Sequence, residues 1–199
     1  MVPGCDNPDP ELDERSTAPA EDCHRLWQFL RQGGMHNALD FYRCLASRML
    51  GRDYPWAEPK PLPRTAVYHP QGVSADPAVW QAQWSADQPV VALLFYRSHL
   101  QAANTAFIDV FCERLLAQGL NPLPIAVASL KEASCLSVVE NWLDEVDCEL
   151  ILNTTGFAQS SPEAPHLRPF RRNVPVIQAI CAQDNEPGWR ASDQGLGAR

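Results

Sequence analysis

A chain of 199 residues with 45% hydrophobic side chains can bury one ordinary core and carry flanking segments besides. Sixteen basic against twenty-four acidic residues leave a net charge of −8, and the one compact basic cluster is Arg168, Arg171 and Arg172, so nucleic acid is a poor partner. The longest apolar run, Val90 to Tyr96, falls far short of the ~20 residues that cross a bilayer. The first residues lack a basic stretch followed by an apolar one, so no secretory signal is read and a cytoplasmic setting is expected. Seven cysteines, odd in number and scattered without a C-x-x-C pair, read as small buried hydrophobes rather than as a zinc or redox site.

Residues 1–21 hold Pro3, Pro8, Pro10 and Pro19 among carboxylates, with Leu12 the only large apolar side chain after Val2, and are expected to be disordered. From Asp22, Leu26, Phe29 and Leu30, then Leu39, Tyr42, Leu45, Ala46 and Met49, recur at three- and four-residue spacings, which predicts helices divided at Gly33-Gly34. Pro55, Pro59, Pro61 and Pro63 make a stiff extended connector. Thr65 to His69 is a short predicted strand, followed by Pro70-Gln71-Gly72 and a polar stretch with Trp80 and Trp84.

Val90 to Tyr96 is a continuous apolar strand of the kind buried on both faces in parallel sheets. A loop, Arg97 to Asn104, leads to a helix with Phe107, Val110, Phe111 and Leu115 on one face, stopped at Gln118-Gly119. Leu123 to Ala128 is the next predicted strand, Leu136, Val139, Leu143 and Val146 mark a second helix, and Glu149 to Asn153 is a third strand running into Thr154-Thr155-Gly156. After a proline-bearing excursion, Val174 to Ala179 gives a further strand. This alternation predicts an α/β fold: a parallel-sheet βαβ domain, Rossmann-like or flavodoxin-like, preceded by a short helical segment. The expected division is a disordered segment over 1–21, a helical segment and proline-rich connector over 22–64, and an α/β domain over 65–199 that stops short at its C-terminus.

Ligands of such sheets sit beyond the carboxyl ends of the strands, which nominates the loops at Arg97 to Asn104, Ser129 to Ala133, Asn153 to Gln159, and after Ala179. His99, three residues past a buried strand and close to Arg97, offers an imidazole that can bind a metal or accept a proton, and the guanidinium suits carboxylates of an anionic substrate. The bland alternative is that His99 caps a carbonyl and Arg97 pairs with an acidic neighbour. Asn153-Thr154-Thr155-Gly156 either presents hydroxyls and backbone N–H groups to a ligand or makes a plain tight exit from a strand. Asp184 and Glu186 could relay protons, although two loop carboxylates are more often simply solvated. No phosphate-binding G-x-x-x-x-G-K-[ST] stretch, dinucleotide-binding G-x-G-x-x-G or nucleophile-elbow G-x-S-x-G is present, and the histidines lie on separate segments, so the metal ligands are unknown.

Leu94-Phe95-Tyr96-Arg97-Ser98-His99-Leu100, Gly119-Leu120-Asn121-Pro122-Leu123-Pro124-Ile125, Leu152-Asn153-Thr154-Thr155-Gly156-Phe157 and Pro175-Val176-Ile177-Gln178 together resemble the large subunit of the aerobic, ATP-dependent cobaltochelatases of cobalamin biosynthesis. The magnesium chelatase large subunit shares the pattern. The similarity begins at Leu26-Trp27-Gln28-Phe29-Leu30 and continues through Pro61-Leu62-Pro63-Arg64 to Trp189 and Gly195-Leu196. It implies a fragment of a tetrapyrrole-binding subunit that inserts Co²⁺ into hydrogenobyrinic acid a,c-diamide, a ligase-type reaction the chain would not complete alone. ATP and Mg²⁺ would be used by separate AAA+ motor subunits, with no cofactor bound by this chain. The implied roles are His99 and Glu186 as catalytic proton relays and Arg97, Ser98, Asn153, Thr154 and Thr155 as substrate contacts. The alternatives are a magnesium chelatase relative, or a non-catalytic domain that binds a tetrapyrrole or mediates association.

Overall fold

Helix α1 (Pro10–Glu14) is started by Asp9, whose carboxylate accepts the backbone N–H groups of Glu11 at 3.1 Å and Leu12 at 3.3 Å. One turn of helix therefore stands inside the segment expected to be disordered. The computed structural model describes residues 9–156, 170–181 and 186–191.

Helices α2 (Ala20–Gln32) and α3 (Gly34–Leu50) are divided at Gly33, as their spacing predicts. Gly33 has φ 65°, and a β-carbon there would stand 2.6 Å from the carbonyl oxygen of Gln101, so no other residue fits. The pair buries Leu26, Phe29 and Cys44, with Phe41, Leu45 and Trp56 packed against them. Asp22 is buried between two guanidinium groups, accepting from Arg25 at 3.0 Å and Arg48 at 2.9 Å. Prolines remove several donors from the connector, and side-chain amides bond the peptide groups that remain. Asn37 bonds both the carbonyl (2.9 Å) and the N–H (2.8 Å) of Lys60, and Gln32 accepts the N–H of Leu62 at 2.9 Å. Leu39, Tyr42 and Met49, predicted among the packing residues of α3, are exposed, because α2 covers only an edge of the helix's apolar arc.

Six strands form one sheet in the order β2-β1-β4-β3-β5-β6. They are β1 (Thr65–His69), β2 (Gly72–Ser74), β3 (Val90–Tyr96), β4 (Asn121–Val127), β5 (Leu150–Asn153) and β6 (Val176–Gln178). The last four are parallel, while β1 runs antiparallel to β4 and makes a hairpin with β2 that the sequence reading did not foresee. Between β2 and β3 lies α4 (Ala78–Gln81), whose Trp80 indole donates to the Tyr68 carbonyl at 2.6 Å. Every residue of β3 from Val90 to Phe95 and all of β4 are buried, as a parallel strand covered on both faces requires.

Pro122 and Pro124 lie inside β4 without breaking it. Standing two residues apart, they lack donors on the same edge. The ladder to β3 is continuous from Val90–Asn121 to Tyr96–Val127, whereas that to β1 begins only at Ile125, so the missing N–H groups face the side that is not yet paired. Asn121 anchors the entry to β4 by three amide hydrogen bonds, to the N–H and carbonyl of Ser85 and the carbonyl of Gln88.

After β3 come the short α5 (Ser98–Gln101) and then α6 (Ala106–Ala117), and α7 (Ala133–Glu145) joins β4 to β5. The predicted face of α6 is rotated: Ile108 and Cys112 are buried and Val110 is exposed, so the polar Asp109 turns inward to accept from the Tyr68 hydroxyl at 2.8 Å. A last short helix, α8, spans Glu186–Arg190. The basic pair Arg171 and Arg172 is neutralised by carboxylates at the end of α7, Arg171 by Asp144 and Arg172 by Asp147.

The described residues cluster into two units. One takes the chain up to Pro63 together with Ser98–Thr105, and the other takes Arg64–Arg97 and the described residues from Ala106 onward. The loop expected to crown the sheet after Arg97 is thus a piece of the helical unit, where Gln101 donates to the Arg31 carbonyl at 2.7 Å.

Candidate functional site

Among the parallel strands the order β4-β3-β5-β6 is the flavodoxin-like arrangement, in which the chain goes first to one side of β3 and then to the other. In sheets of this topology, right-handed crossovers put the two helices on opposite faces, and ligands are taken in a crevice beyond the carboxyl ends of the strands at the switch point, here β3 and β5. Two segments border it within the α/β unit. Arg97 leaves β3 with its backbone N–H on the Val127 carbonyl at 2.8 Å, which ties the end of β3 toward β4, and the residue is half-exposed. Asn153 to Gly156 leaves β5 on the other side, and the Cα of Gly156 faces open space.

The Asn153–Thr155 turn directs its polar atoms inward. The Thr154 N–H and hydroxyl both donate to the Leu94 carbonyl, each at 2.8 Å. The fully buried Thr155 donates its N–H (3.1 Å) and hydroxyl (2.6 Å) to Asn153 Oδ1. Asn153 Nδ2 in turn donates to Gln178 Oε1 at 3.0 Å, and Gln178 Nε2 closes the ring on the Thr155 carbonyl at 3.0 Å. Bonded to one another and to the Leu94 carbonyl, these groups brace the end of β5. Gln178 was given no role in the sequence reading. Its signal is its register: it pairs with Asn153 across adjacent parallel strands, so two side-chain amides meet at one sheet edge.

Other groups stand at the same ends. Arg64, next to β1, forms a two-pronged ion pair with Glu132, including Nε to Oε2 at 3.0 Å, and that pairing holds the exposed Glu132 carboxyl below its ordinary range.

Ser98 and His99 belong to the helical unit, and Arg97 and the Asn153–Thr155 turn to the α/β unit. His99 is half-buried, and loss of solvent holds its imidazole below the usual 6.5, favouring the neutral, proton-accepting form. The side chain of Glu186, and Asp184 altogether, lie outside the described residues. Two cavities of about 330 and 340 Å³ are lined entirely by residues of the helical unit, so neither is the crevice at the sheet edge. Among the described residues, no group of three or more His, Cys, Asp or Glu is placed to hold a metal ion, and no helix is long and apolar enough to cross a membrane.

A mostly parallel α/β sheet with its crevice at a flavodoxin-like switch point defines the class of protein. The sequence profile of the CobN/Magnesium Chelatase family matches residues 27–199, and the chain belongs to that family. It is 66% identical over 198 residues to the aerobic cobaltochelatase subunit CobN of Pseudomonas aeruginosa, aligning over 100% of this chain and 16% of that protein. With the aerobic cobaltochelatase subunit CobN of a Sinorhizobium species it shares 32% identity over 209 residues, 100% of this chain and again 16% of the relative. The chain therefore spans about a sixth of the length of these relatives. The catalytic subunit of cobaltochelatase from Mycobacterium tuberculosis has the same fold over 98% of this chain and 16% of its own, with a TM-score of 0.74 at 23% identity.

Proposed function

We propose that this chain supplies part of the tetrapyrrole-handling surface of an aerobic cobaltochelatase large subunit. The reaction is ATP-driven insertion of Co²⁺ into hydrogenobyrinic acid a,c-diamide in the cytoplasm. The observation that carries this reading is the 66% identity to an aerobic cobaltochelatase subunit over the whole chain. Its partners are the rest of the large subunit and AAA+ motor subunits that hydrolyse ATP.

Metal insertion replaces pyrrole protons by a cation, so the protein must hold an anionic, carboxylate-bearing macrocycle and accept protons from it. Arg97 beyond β3 is suited to a peripheral carboxylate, and the Asn153–Thr155–Gln178 ring fixes the opposite rim. His99, neutral at working pH, is the first candidate proton acceptor, and Glu186 the second. Ser98, exposed at the start of α5, is a further candidate contact.

The test is a titration of the full-length large subunit with the cobalamin precursor and with protoporphyrin, followed by their absorption bands. The precursor should bind at least about tenfold more tightly, and Arg97→Ala should weaken it by about 10- to 100-fold, the worth of a charge-assisted hydrogen bond. Unchanged binding by Arg97→Ala would remove that residue from the site. A preference for protoporphyrin would move the reading to the magnesium branch of the family.

A further inference from the structure

Helix α3 carries one broad apolar arc, and α2 covers only an edge of it. Cys44 is buried against Leu26 and Phe29 of α2 with Phe41 and Leu45 partly buried beside it, and Asn37 is buried against the connector at Lys60. Beyond that edge, Met35 is 72% exposed, Leu39 49%, Tyr42 67% and Leu50 69%, while Met49, 37% exposed, borders the cavity it shares with Cys23 and Leu26 of α2. At 100° per residue these side chains, with Ala46 among them, stand within about 100° of arc opposite Asn37 and Cys44, and run for about 22 Å along the helix. Their succession, 35, 39, 42, 46 and 49, steps by four, three, four and three, which is the seam that packs against another helix. The apolar arc of α3 is wider than α2 covers, while His36, Asp40, Arg43 and Ser47 keep the remaining side polar. Scattered single apolar residues on a surface mean little, but a continuous stripe of this length marks an interface.

We infer that this stripe is an intramolecular docking face, covered by a helix contributed by the part of the large-subunit polypeptide that lies outside these 199 residues. The occupant is indicated by length. The sequence and structural relatives each extend this region into a chain about six times as long, with 84% of the polypeptide beyond the aligned part. A segment tethered to the same chain meets the stripe at an effective concentration in the millimolar range, ahead of any second copy arriving from solution. The seam selects a helix with its own apolar row at alternating three- and four-residue steps. Met35 and Met49 at the two ends give it flexible, adaptable edges.

Hydroxyl-radical footprinting suits this stripe, because Met35, Tyr42 and Met49 are themselves oxidisable reporters. Each rate is referred to the same residue in denatured protein and compared between this chain and the full-length subunit carrying it. The expected result is rapid oxidation in the 199-residue chain and at least about tenfold protection of all three in the full-length subunit without other subunits present. Equal rates in the two would overturn the inference. So would protection that grows with the concentration of the 199-residue chain, which assigns the face to a second copy, or protection that needs the motor subunits. As a second measurement, L39D combined with Y42D should leave the unfolding midpoint of the 199-residue chain unchanged but abolish the protection of Met35 and Met49 in the full-length subunit. Retained protection refutes the docking face.

Discussion

Replacing Asn153 by alanine removes the hub of the ring that closes the sheet edge. The side chain accepts the N–H and the hydroxyl of Thr155 and donates to Gln178. Thr155 is fully buried, so water cannot replace either bond, and a buried donor left without a partner costs about 1–3 kcal/mol. Gln178 is exposed and recovers its lost bond from solvent. The expected destabilisation is therefore about 2–5 kcal/mol, set by two orphaned donors, and is large against the ~5–15 kcal/mol that holds an ordinary domain. Thr155→Val deletes only the hydroxyl and leaves Asn153 bonded to the backbone N–H, so about 1 kcal/mol is expected. Because the two residues share a bond, Asn153→Ala should cost about 1–2 kcal/mol less in the Thr155→Val background than in the wild type. Urea unfolding of the four proteins, with equal denaturant slopes, measures all of this. A loss below about 1 kcal/mol for Asn153→Ala, or strict additivity of the pair, would refute the view that these residues brace the rim.

Gly33→Ala must adopt φ 65° and place its β-carbon 2.6 Å from the Gln101 carbonyl, so it should lose more than the roughly 1–2 kcal/mol of left-handed strain alone, as read by thermal unfolding. His99 titrates in the opposite sense to a salt-bridged histidine: burial lowers its folded pKa, the unfolded state binds the extra proton, and stability falls as pH drops from about 6.5 through the lower folded value. His99→Gln should flatten that acid-side decline, and an unchanged pH profile would show that its burial is not felt. In the full-length enzyme, His99→Ala should cut chelation while leaving the fold intact; unchanged turnover removes it as the proton acceptor. Among the described cysteines, Cys181 is the exposed one, whereas Cys112 is buried with its thiol pushed up to about 12 by loss of solvent. Burial also raises the Cys181 thiol, so a reagent at pH 8 should label Cys181 ahead of Cys112, which reacts only on unfolding, as mass mapping of the labelled peptides will show.

The strand Val90–Tyr96 was legible from its own residues, because a run of seven apolar side chains, short for a helix and carrying β-branched and aromatic residues, suits a strand covered on both faces. The βαβ order followed from the alternation of periods, and the crevice at its carboxyl edge from the handedness of crossovers. The family followed from short motifs in a fixed order. Other features depended on partners that no local pattern encodes. The sequence periodicity of α3 marked Leu39, Tyr42 and Met49 as apolar, but only the placement of α2 decided which side of the helix was covered. The fit of Pro122 and Pro124 into β4 depended on where its neighbour β1 stops pairing. Asn153, Thr154 and Thr155 were visible as polar residues at a strand end, and only the register against Gln178 showed which bonds brace them. His99 and Arg97 stand two residues apart in sequence, yet the chain passes from one unit to the other between them. The sequence alone thus determined the elements, the sheet class and the family, since these rest on local period and short motifs; burial, register and unit membership came only with the tertiary structure, since each is a property of two segments at once.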